Sequence, residues 1–597
     1  MKLSDYIFQR LDQWGVRHVF LLPGGGAMHL NDALGRCGSP GFVACLHEQA
    51  AAIAAEAYAR VTNNLGVALV TTGPGGTNAI TGLAAAWLDS TPCLFLSGQV
   101  KRADLKGDLG LRQMGVQEID IVAVAGPLTK YAQTVMDPGS IRYHLEKAVY
   151  LAKSGRPGPV WLDIPLDVQA AEIDPDRLPG FEPPVLEAPA GNLDDEIDEV
   201  LTCLARAERP VLMGGNGIRL AGATGEFLEL AERLGIPVLT TWLGMDLIAD
   251  DHPLFMGRPG AIAPRGANFT LQNSDFMLAV GSRLDMAMVG YAYDRLARSA
   301  VKVVVDIDPG ELRKFKDGVQ LPICADAGAF LRGMLARVRD GAFGKEPWLQ
   351  RCRDWKVRYP VVLPEHRERT DFVSTYAFSE ALSGALPPGA LVASMSAGAC
   401  VEMFLLAFKV KRNQRIFHNR GTGSMGFAVP AALAACLASG GKPTICVEAD
   451  GGFQMNTQEL ETIRRLGLPI KIFVLNNQGY ASIRASQSRH FGKLTGADAT
   501  SGLTLPDTLG LASAYGIPAT RIRSGVELAS GLEKVLAMPG PFLCEVMMPP
   551  DEDRAPCLSS RQLANGSMVS PPLEDLWPFL DRAEFRSNMI IEPLADA

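Results

Sequence analysis

An apolar run, Thr444 to Val447, ends in Glu448-Ala449-Asp450-Gly451-Gly452-Phe453. A second run, Ile470 to Leu475, ends in Asn476-Asn477-Gln478-Gly479-Tyr480. Between them, Asn456 to Leu466 carries helical periodicity. Asp450 and Asn477 stand 27 residues apart, about one strand-helix-strand unit. Such a crossover joins parallel strands, so both polar ends emerge at one sheet edge. A carboxylate, an amide oxygen and a loop carbonyl there make a hard oxygen site suited to Mg2+. The neighbouring glycines leave backbone N–H groups for phosphate oxygens. A strand-helix-strand turn with polar ends and no ligand accounts for the same residues taken alone.

At 597 residues the chain exceeds what a single core supports, and two to four domains are expected. A net charge of −8 argues against nucleic acid as a partner, and the basic run Lys409 to Arg415 reads as a solvated loop. Eleven scattered cysteines without metal spacing read as small core thiols of a reducing compartment. The N-terminus runs straight into an amphipathic helix, Leu3 to Trp14, with no signal-peptide core, and no apolar run approaches a membrane span. A cytoplasmic enzyme without membrane partners fits these features.

Strand-helix alternation recurs in three blocks, 1–173, 192–345 and 372–548. Short apolar runs with helices between them predict three doubly wound parallel sheets, an α/β fold class. The strands include Val19 to Leu22, Val67 to Val70, Cys93 to Leu96, Pro210 to Met213, Phe276 to Val280, Val301 to Asp306 and Leu391 to Ala393. Pro-rich Asp174 to Pro189 and charged Lys345 to Asp371 read as linkers. The tail, 549–597, reads as irregular.

Asp-Gly followed by Asn-Asn at this spacing resembles the cofactor signature of thiamin-diphosphate (ThDP) dependent enzymes, with Ala449 in place of the usual first glycine. Three α/β blocks in this order resemble the acetolactate (acetohydroxyacid) synthase and pyruvate-oxidase-like branch over nearly the whole chain. The resemblance implies a pyrimidine-binding first domain, a central nucleotide-binding-like domain and a third domain that holds the diphosphate. It assigns Asp450, Asn477 and the Gly479 carbonyl to Mg2+, with Gly451, Gly452 and Tyr480 beside the cofactor. Glu48, in Leu46-His47-Glu48-Gln49, matches the glutamate that activates ThDP. A helix-start acid offsetting the dipole is the plainer reading of that residue. In an apolar pocket a glutamate favours its neutral form and can share a proton with the pyrimidine ring. His47 reads as a packing histidine.

Other positions follow the same resemblance. Pro23 and Gly24 lie in a loop over the pyrimidine. Gly73 and Asn78 line the cofactor, although Thr77 or Asn78 also suits a helix cap. Ser396, Gly398 and Ala399 are diphosphate contacts, Gly423 and Met425 belong to the segment that props the cofactor into its bent shape, and Gln117 faces the substrate side. Gly257-Arg258-Pro259-Gly260, Arg265-Gly266-Ala267-Asn268, Gly281-Ser282-Arg283 and Asp306-Ile307-Asp308 resemble FAD-binding segments, which persist in relatives that bind another nucleotide or none.

Two departures stand out. Asp285-Met286-Ala287-Met288 carries no arginine where the synthases place one against substrate and flavin. Arg484 lies in the stretch where they place an acceptor-selecting tryptophan, and its fork suits a carboxylate or phosphate. The tail's Gly566-Ser567-Met568 and Pro572 to Asp575 resemble carboligases of polysaccharide pathways. The expected activity is a decarboxylating carboligase, with a 2-oxo acid such as pyruvate as donor and a carbonyl acceptor, in a homodimer or homotetramer. A ThDP-dependent 2-oxo acid or acyl-CoA decarboxylase or lyase, and a non-catalytic regulator on the same fold, are the alternatives.

Overall fold

The computed structural model describes residues 1–184, 192–559, 561–562 and 568–594. Three six-stranded sheets, each wholly parallel, follow one another along the chain. Counting strands from one within each domain, the order is 2-1-3-4-6-5 in the first and third sheets. In the middle sheet it is 3-2-1-4-5-6, the order of doubly wound nucleotide-binding sheets. In all three, the chain reverses direction across the sheet beside the first strand, which opens a crevice at the strands' C-terminal ends.

In the third domain that crevice lies between β13 (Leu391–Ser394) and β15 (Thr444–Ala449), with β16 (Ile470–Asn476) alongside. Ala449 pairs with Leu475, so the loops after both strands start level with each other. Both strands are buried along almost their whole length, as in a parallel sheet covered by helices on both faces.

The first and third domains share one apolar core. Helix Glu48–Thr62 packs directly on helix Ala428–Ala438. Both are alanine-rich, and Ala51, Ala54, Ala431 and Ala435 are wholly buried. Small side chains let the two backbones approach closely, so the helix that begins at Glu48 is tied to the one that follows Met425.

Two sequence expectations fail here. Lys345 to Asp371 contains helix Glu346–Arg358, which buries Trp348, Leu349, Cys352 and Trp355 in the central core. The tail is not irregular throughout: it forms helix Arg582–Asn588 and returns to the central domain, where Leu573 and Phe585 join the core. Asn588 Oδ1 accepts from Trp355 Nε1 at 2.9 Å, and Arg582 forks onto Asp575 at 2.9 Å. Part of the first linker (185–191) and Gly566 and Ser567 of the tail lie outside the described residues.

Phe585→Ala should cost roughly 3–5 kcal/mol through the cavity it opens. Urea unfolding measures this, and a loss below about 1 kcal/mol would show that the tail is only draped on the domain.

Candidate active site

Asp450 opens a short helical turn, Asp450–Phe453, at the end of β15. Its carboxylate accepts from Gly451 N at 2.8 Å and from Gly479 N at 2.9 Å, and burial raises its pKa to about 6. One terminal atom of the Asn477 amide lies 3.3 Å from Asp450 Oδ1 and 2.6 Å from the Gly479 carbonyl oxygen. Nitrogen at that place donates to both. Oxygen there makes three oxygens converge, an arrangement that a cation between them would stabilise. A Cβ on Gly451 would collide with the Tyr480 ring, so the bare glycine is what lets Tyr480 close over the turn. Gly452 packs against Glu448 and the Met395 sulfur. Among the described residues, no three His, Cys, Asp or Glu side chains gather to hold a metal.

The rest of the third-domain crevice comes from two further loops. Gly398 precedes helix Ala399–Ala407, and Ser396 donates its hydroxyl to Asn419 Oδ1 at 3.3 Å. Gly423 and half-buried Met425 lie on the loop that leads into helix Ala428–Ala438, with Met425 packed on the domain core. Arg484 does not offer a free fork as expected from the sequence. Its guanidinium donates to the carbonyls of Asn477 (2.9 Å), Gln478 (3.1 Å) and Pro550 (2.6 Å), tying the Asn477 loop to the chain beyond β18 (Phe542–Met547).

A second group forms at the same edge of the first sheet. Glu48 is the first residue of its helix and is 6% exposed; its Oε2 accepts from Asn78 Nδ2 at 3.0 Å. Neither Thr77 nor Asn78 caps a helix, since the helical turn Pro74–Asn78 already precedes helix Ile80–Leu88. The packing histidine expected at 47 is instead the cap: His47 Nδ1 accepts from Gln49 N at 3.0 Å. Gly73 has φ +66, and a Cβ there would strike the Gln117 carbonyl, so the Gly73 and Gln117 backbones meet while the Gln117 side chain faces outward. Gly24 packs on Thr71, with Pro23 just before it.

Glu48, Asn78, Gly73, Gln117 and Gly24 therefore stand together, as do Asp450, Asn477, Gly479 and Tyr480. Among the described hydrogen bonds and ion pairs, none joins Glu48 to Asp450 or Asn477. What binds the two domains nearby went unread in the sequence. Glu459 accepts from Leu46 N at 2.8 Å, and Asn456 reaches both the Gly426 carbonyl (2.8 Å) and Gln49 (3.5 Å). These bonds link positions some 400 residues apart, with no local signal to mark them.

The central domain opens a cavity of about 270 Å3 at its own strand ends, between Asn216-Gly217 and Gly281-Ser282. Pro259, Gly260, Arg283, Asp285, Asp306 and Ile307 line it. Several expected contacts do not: Gly257 and Asp308 lie outside it, Arg258 turns away to Asp250 and the Phe408 carbonyl, and the whole segment Arg265-Gly266-Ala267-Asn268 is used elsewhere, with Arg265 on the Leu576 carbonyl and Asn268 on the Gly260 backbone and the Leu573 carbonyl. No helix among the described residues is long and apolar enough to cross a membrane.

Polar loops thus gather at the C-terminal edges of three parallel sheets, where doubly wound α/β proteins bind their ligands. Three family descriptions match consecutive stretches: thiamine pyrophosphate enzyme, N-terminal TPP binding domain (1–124), central domain (197–334) and C-terminal TPP binding domain (397–546). The acetolactate synthase large subunit of Cyanidium caldarium is 32% identical over 557 residues, which cover 91% of this chain and 92% of that protein. The acetolactate synthase of Arthrospira platensis is 33% identical over 93% of this chain and 95% of its own length, and acetolactate synthase 2, chloroplastic, of Zea mays is 33% identical over 94% and 87%. The chain belongs to the thiamine pyrophosphate enzyme family, as an acetolactate-synthase-like ThDP-dependent enzyme.

Glu448, one strand position before Ala449, is fully buried and accepts from Ala428 N (3.0 Å) and Ala449 N (3.3 Å); burial raises its pKa to about 8. Above its unfolded value the folded protein still holds this proton while the unfolded chain has released it, so stability falls as pH rises toward 8. His418, lowered by burial to about 3, acts in the opposite sense below about pH 6.5 and is neutral in both states above it. Between about pH 6.5 and 8, Glu448 should therefore remove roughly 1–2 kcal/mol from the cofactor-free protein. Urea midpoints at the two pH values, for wild type and Glu448→Gln, check this; equal declines in both would clear Glu448.

Proposed function

We propose that the protein is a ThDP- and Mg2+-dependent decarboxylating carboligase, which moves an acyl unit from a 2-oxo acid such as pyruvate to a carbonyl acceptor. The observation that carries this reading is the meeting of Asp450, the Asn477 amide and the Gly479 carbonyl within hydrogen-bonding range at adjoining strand ends. That donor set, one carboxylate with two neutral oxygens, fits Mg2+ that completes its shell with diphosphate oxygens and water. Asp450 and Asn477 would hold the ion by side chain and Gly479 by its carbonyl. Ser396, Gly398 and Ala399 supply a small-residue loop beside it.

ThDP, when bound, supplies the electron sink that lets a 2-oxo acid lose carbon dioxide. The chain's own residues bind, orient and move protons. Asn78 fixes Glu48 Oε2, which leaves Oε1 as the atom that gives and takes a proton. A Cβ on Gly75 would stand in van der Waals contact with Oε1, 3.6 Å away, so the bare glycine leaves that side of the atom uncovered. Met425, backed by the third-domain core, would brace the cofactor. The relatives' names, acetolactate synthases, support this choice of reaction.

Among the described residues no hydrogen bond or ion pair joins the Glu48 and Asp450 groups within one chain, which supports a homodimer or larger homo-oligomer in which two copies complete each site. Phe42, Leu46, Leu109, Met114 and Val116, around Glu48 and Gln117, are all exposed apolar side chains that a second copy would cover. In the central cavity FAD is the candidate occupant, with Asp306 at the strand end where a ribose carboxylate partner belongs. Eleven free cysteines support a cytoplasmic setting.

Asp450→Ala should abolish Mg2+-dependent ThDP binding in calorimetry, and an unchanged affinity would place the metal elsewhere. Glu48→Gln should retain ThDP affinity while turnover drops by about 10²-fold or more, the usual effect of losing a proton-transfer group. Near-wild-type turnover would take that role from Glu48.

A further inference from the structure

Between Lys101 and Glu118 the chain runs over the surface, and only Gly115 and Glu118 are buried. The apolar side chains Leu109, Leu111, Met114 and Val116 all stand exposed. Packing therefore does not shape this arc; hydrogen bonds do. Glu118 Oε1 accepts from Lys106 N at 2.7 Å, and its Oε2 accepts from Met114 N at 2.9 Å and Gly115 N at 3.0 Å. One carboxylate gathers both limbs of the arc through charge-assisted bonds, the stronger kind. Gln113 Nε2 adds a bond to the Glu118 carbonyl at 3.1 Å. The root is latched separately. Gln99 Oε1 accepts from Val100 N at 3.0 Å, and its Nε2 donates to the Ile119 carbonyl at 2.9 Å and to Asp163 Oδ2 at 3.0 Å.

The residue before Glu118 shows what the bonds hold in place. Gln117 has φ +63, a left-handed conformation uncommon for a residue with a side chain. Such a backbone persists only where its surroundings over-determine it. Here Glu118 is anchored on one side, and the Gln117 carbonyl abuts Gly73 on the other. Two residues further on, Gly75 faces Glu48 Oε1. The Gly73–Gly75 turn thus spaces Gln117 from the Glu48 carboxylate. The Gln117 amide points outward and makes no hydrogen bond among the described residues, whereas that of Gln113 is used within the arc.

We propose that Glu118 is a positioning residue for the reaction: by drawing the Lys106 and Met114–Gly115 limbs onto one carboxylate, it holds Gln117 in its left-handed turn and presents the free Gln117 amide beside the Glu48 group. This rests on the carboligase reading above, with Gln117 on the substrate side. Glu118 itself is buried beneath the arc and touches no substrate. Its effect passes through Gln117 alone. An arc with no apolar anchor has many alternative shapes once that carboxylate is lost, and in most of them Gln117 leaves its strained turn. A displacement of about 1 Å in a group that orients substrate is enough to slow a reaction substantially. The Gln99 latch would survive such a loss, since it grips the ends of the arc and not its middle.

The test is a double-mutant cycle on the full chain with ThDP and Mg2+. Wild type, Glu118→Gln, Gln117→Ala and the double variant are assayed for carbon dioxide release from a panel of 2-oxo acids that includes pyruvate. Glu118→Gln should lower kcat/KM about 10-fold while calorimetric ThDP affinity stays within about 2-fold. The double variant should match Gln117→Ala within about 2-fold, because Glu118 then has nothing left to position. Hydrogen exchange in Glu118→Gln should quicken in peptides from 104–117 and stay unchanged around Asp450. Losses that multiply in the double variant overturn the proposal, since a merely structural Glu118 would act independently of Gln117. An unchanged kcat/KM in Glu118→Gln overturns it too. Glu118→Asp, which keeps the charge but shortens its reach, should fall between wild type and Glu118→Gln, and carries the test if the glutamine variant does not fold. If wild type releases carbon dioxide from none of the panel, the carboligase reading falls and takes the proposal with it; if it does release it and the losses multiply, only the role of Glu118 falls.

Discussion

The arrangement turns on Arg60. This buried guanidinium sits near the end of the helix that begins at Glu48 and binds Glu56, Asp89 (2.7 Å) and the His418 carbonyl (2.8 Å). Its own carbonyl accepts from Arg415 at 3.2 Å, and Arg415 pairs with Asp246 of the central domain at 2.5 Å. Asp246 in turn holds Arg219 at 2.8 Å. Three arginines and three carboxylates thus meet at the junction of all three domains, Arg60 with Glu56 and Asp89, and Arg415 and Arg219 with Asp246. Each charge has a partner, which is the condition for burying any of them; removing one strands the others, typically at a cost of about 3–5 kcal/mol.

The consequence for the site is registration. Asp89 uses its second oxygen on Gly421 N, so the knot that locks the domains also fixes where the Met425 loop starts. The alanine-faced helix pair sets the distance between the Glu48 and Met425 segments, and Asn456 and Glu459 pin the approach to Glu48 onto the third domain. Catalytic groups on separate sheets are held by long-range bonds rather than by their own short loops, which gives rigidity to a site built from loop residues.

Much of this was legible in the sequence, for identifiable reasons. Strands such as Phe276–Val280 and Val301–Asp306 and helix Ala428–Ala438 are runs of uniform character, so their limits can be read directly. The placement of Asp450 and Asn477 at neighbouring strand ends follows from chain geometry alone. Helix Glu346–Arg358 was hidden because its four buried apolar residues are scattered among charges that gave the segment the look of a linker. Side-chain direction was equally hidden. Arg484 turns back onto carbonyls, and Arg415, in a basic run that reads as a solvated loop, turns into the core. Whether an arginine faces substrate or backbone depends on neighbours far away in the chain. Asn78 was read as a cap or a lining residue, and its partner Glu48 lies 30 residues earlier.

The return of the tail has a bearing on how the protein is made. Leu573 and Phe585 complete the core of a domain whose first strand, β7 (Pro210–Gly214), lies more than 350 residues upstream. During synthesis the first domain can close early and the third can follow it, since chains emerge N-terminus first. The middle domain therefore lacks part of its apolar wall until Leu573 and Phe585 have been made and can fold back onto it, so its assembly closes later than its place in the chain would suggest.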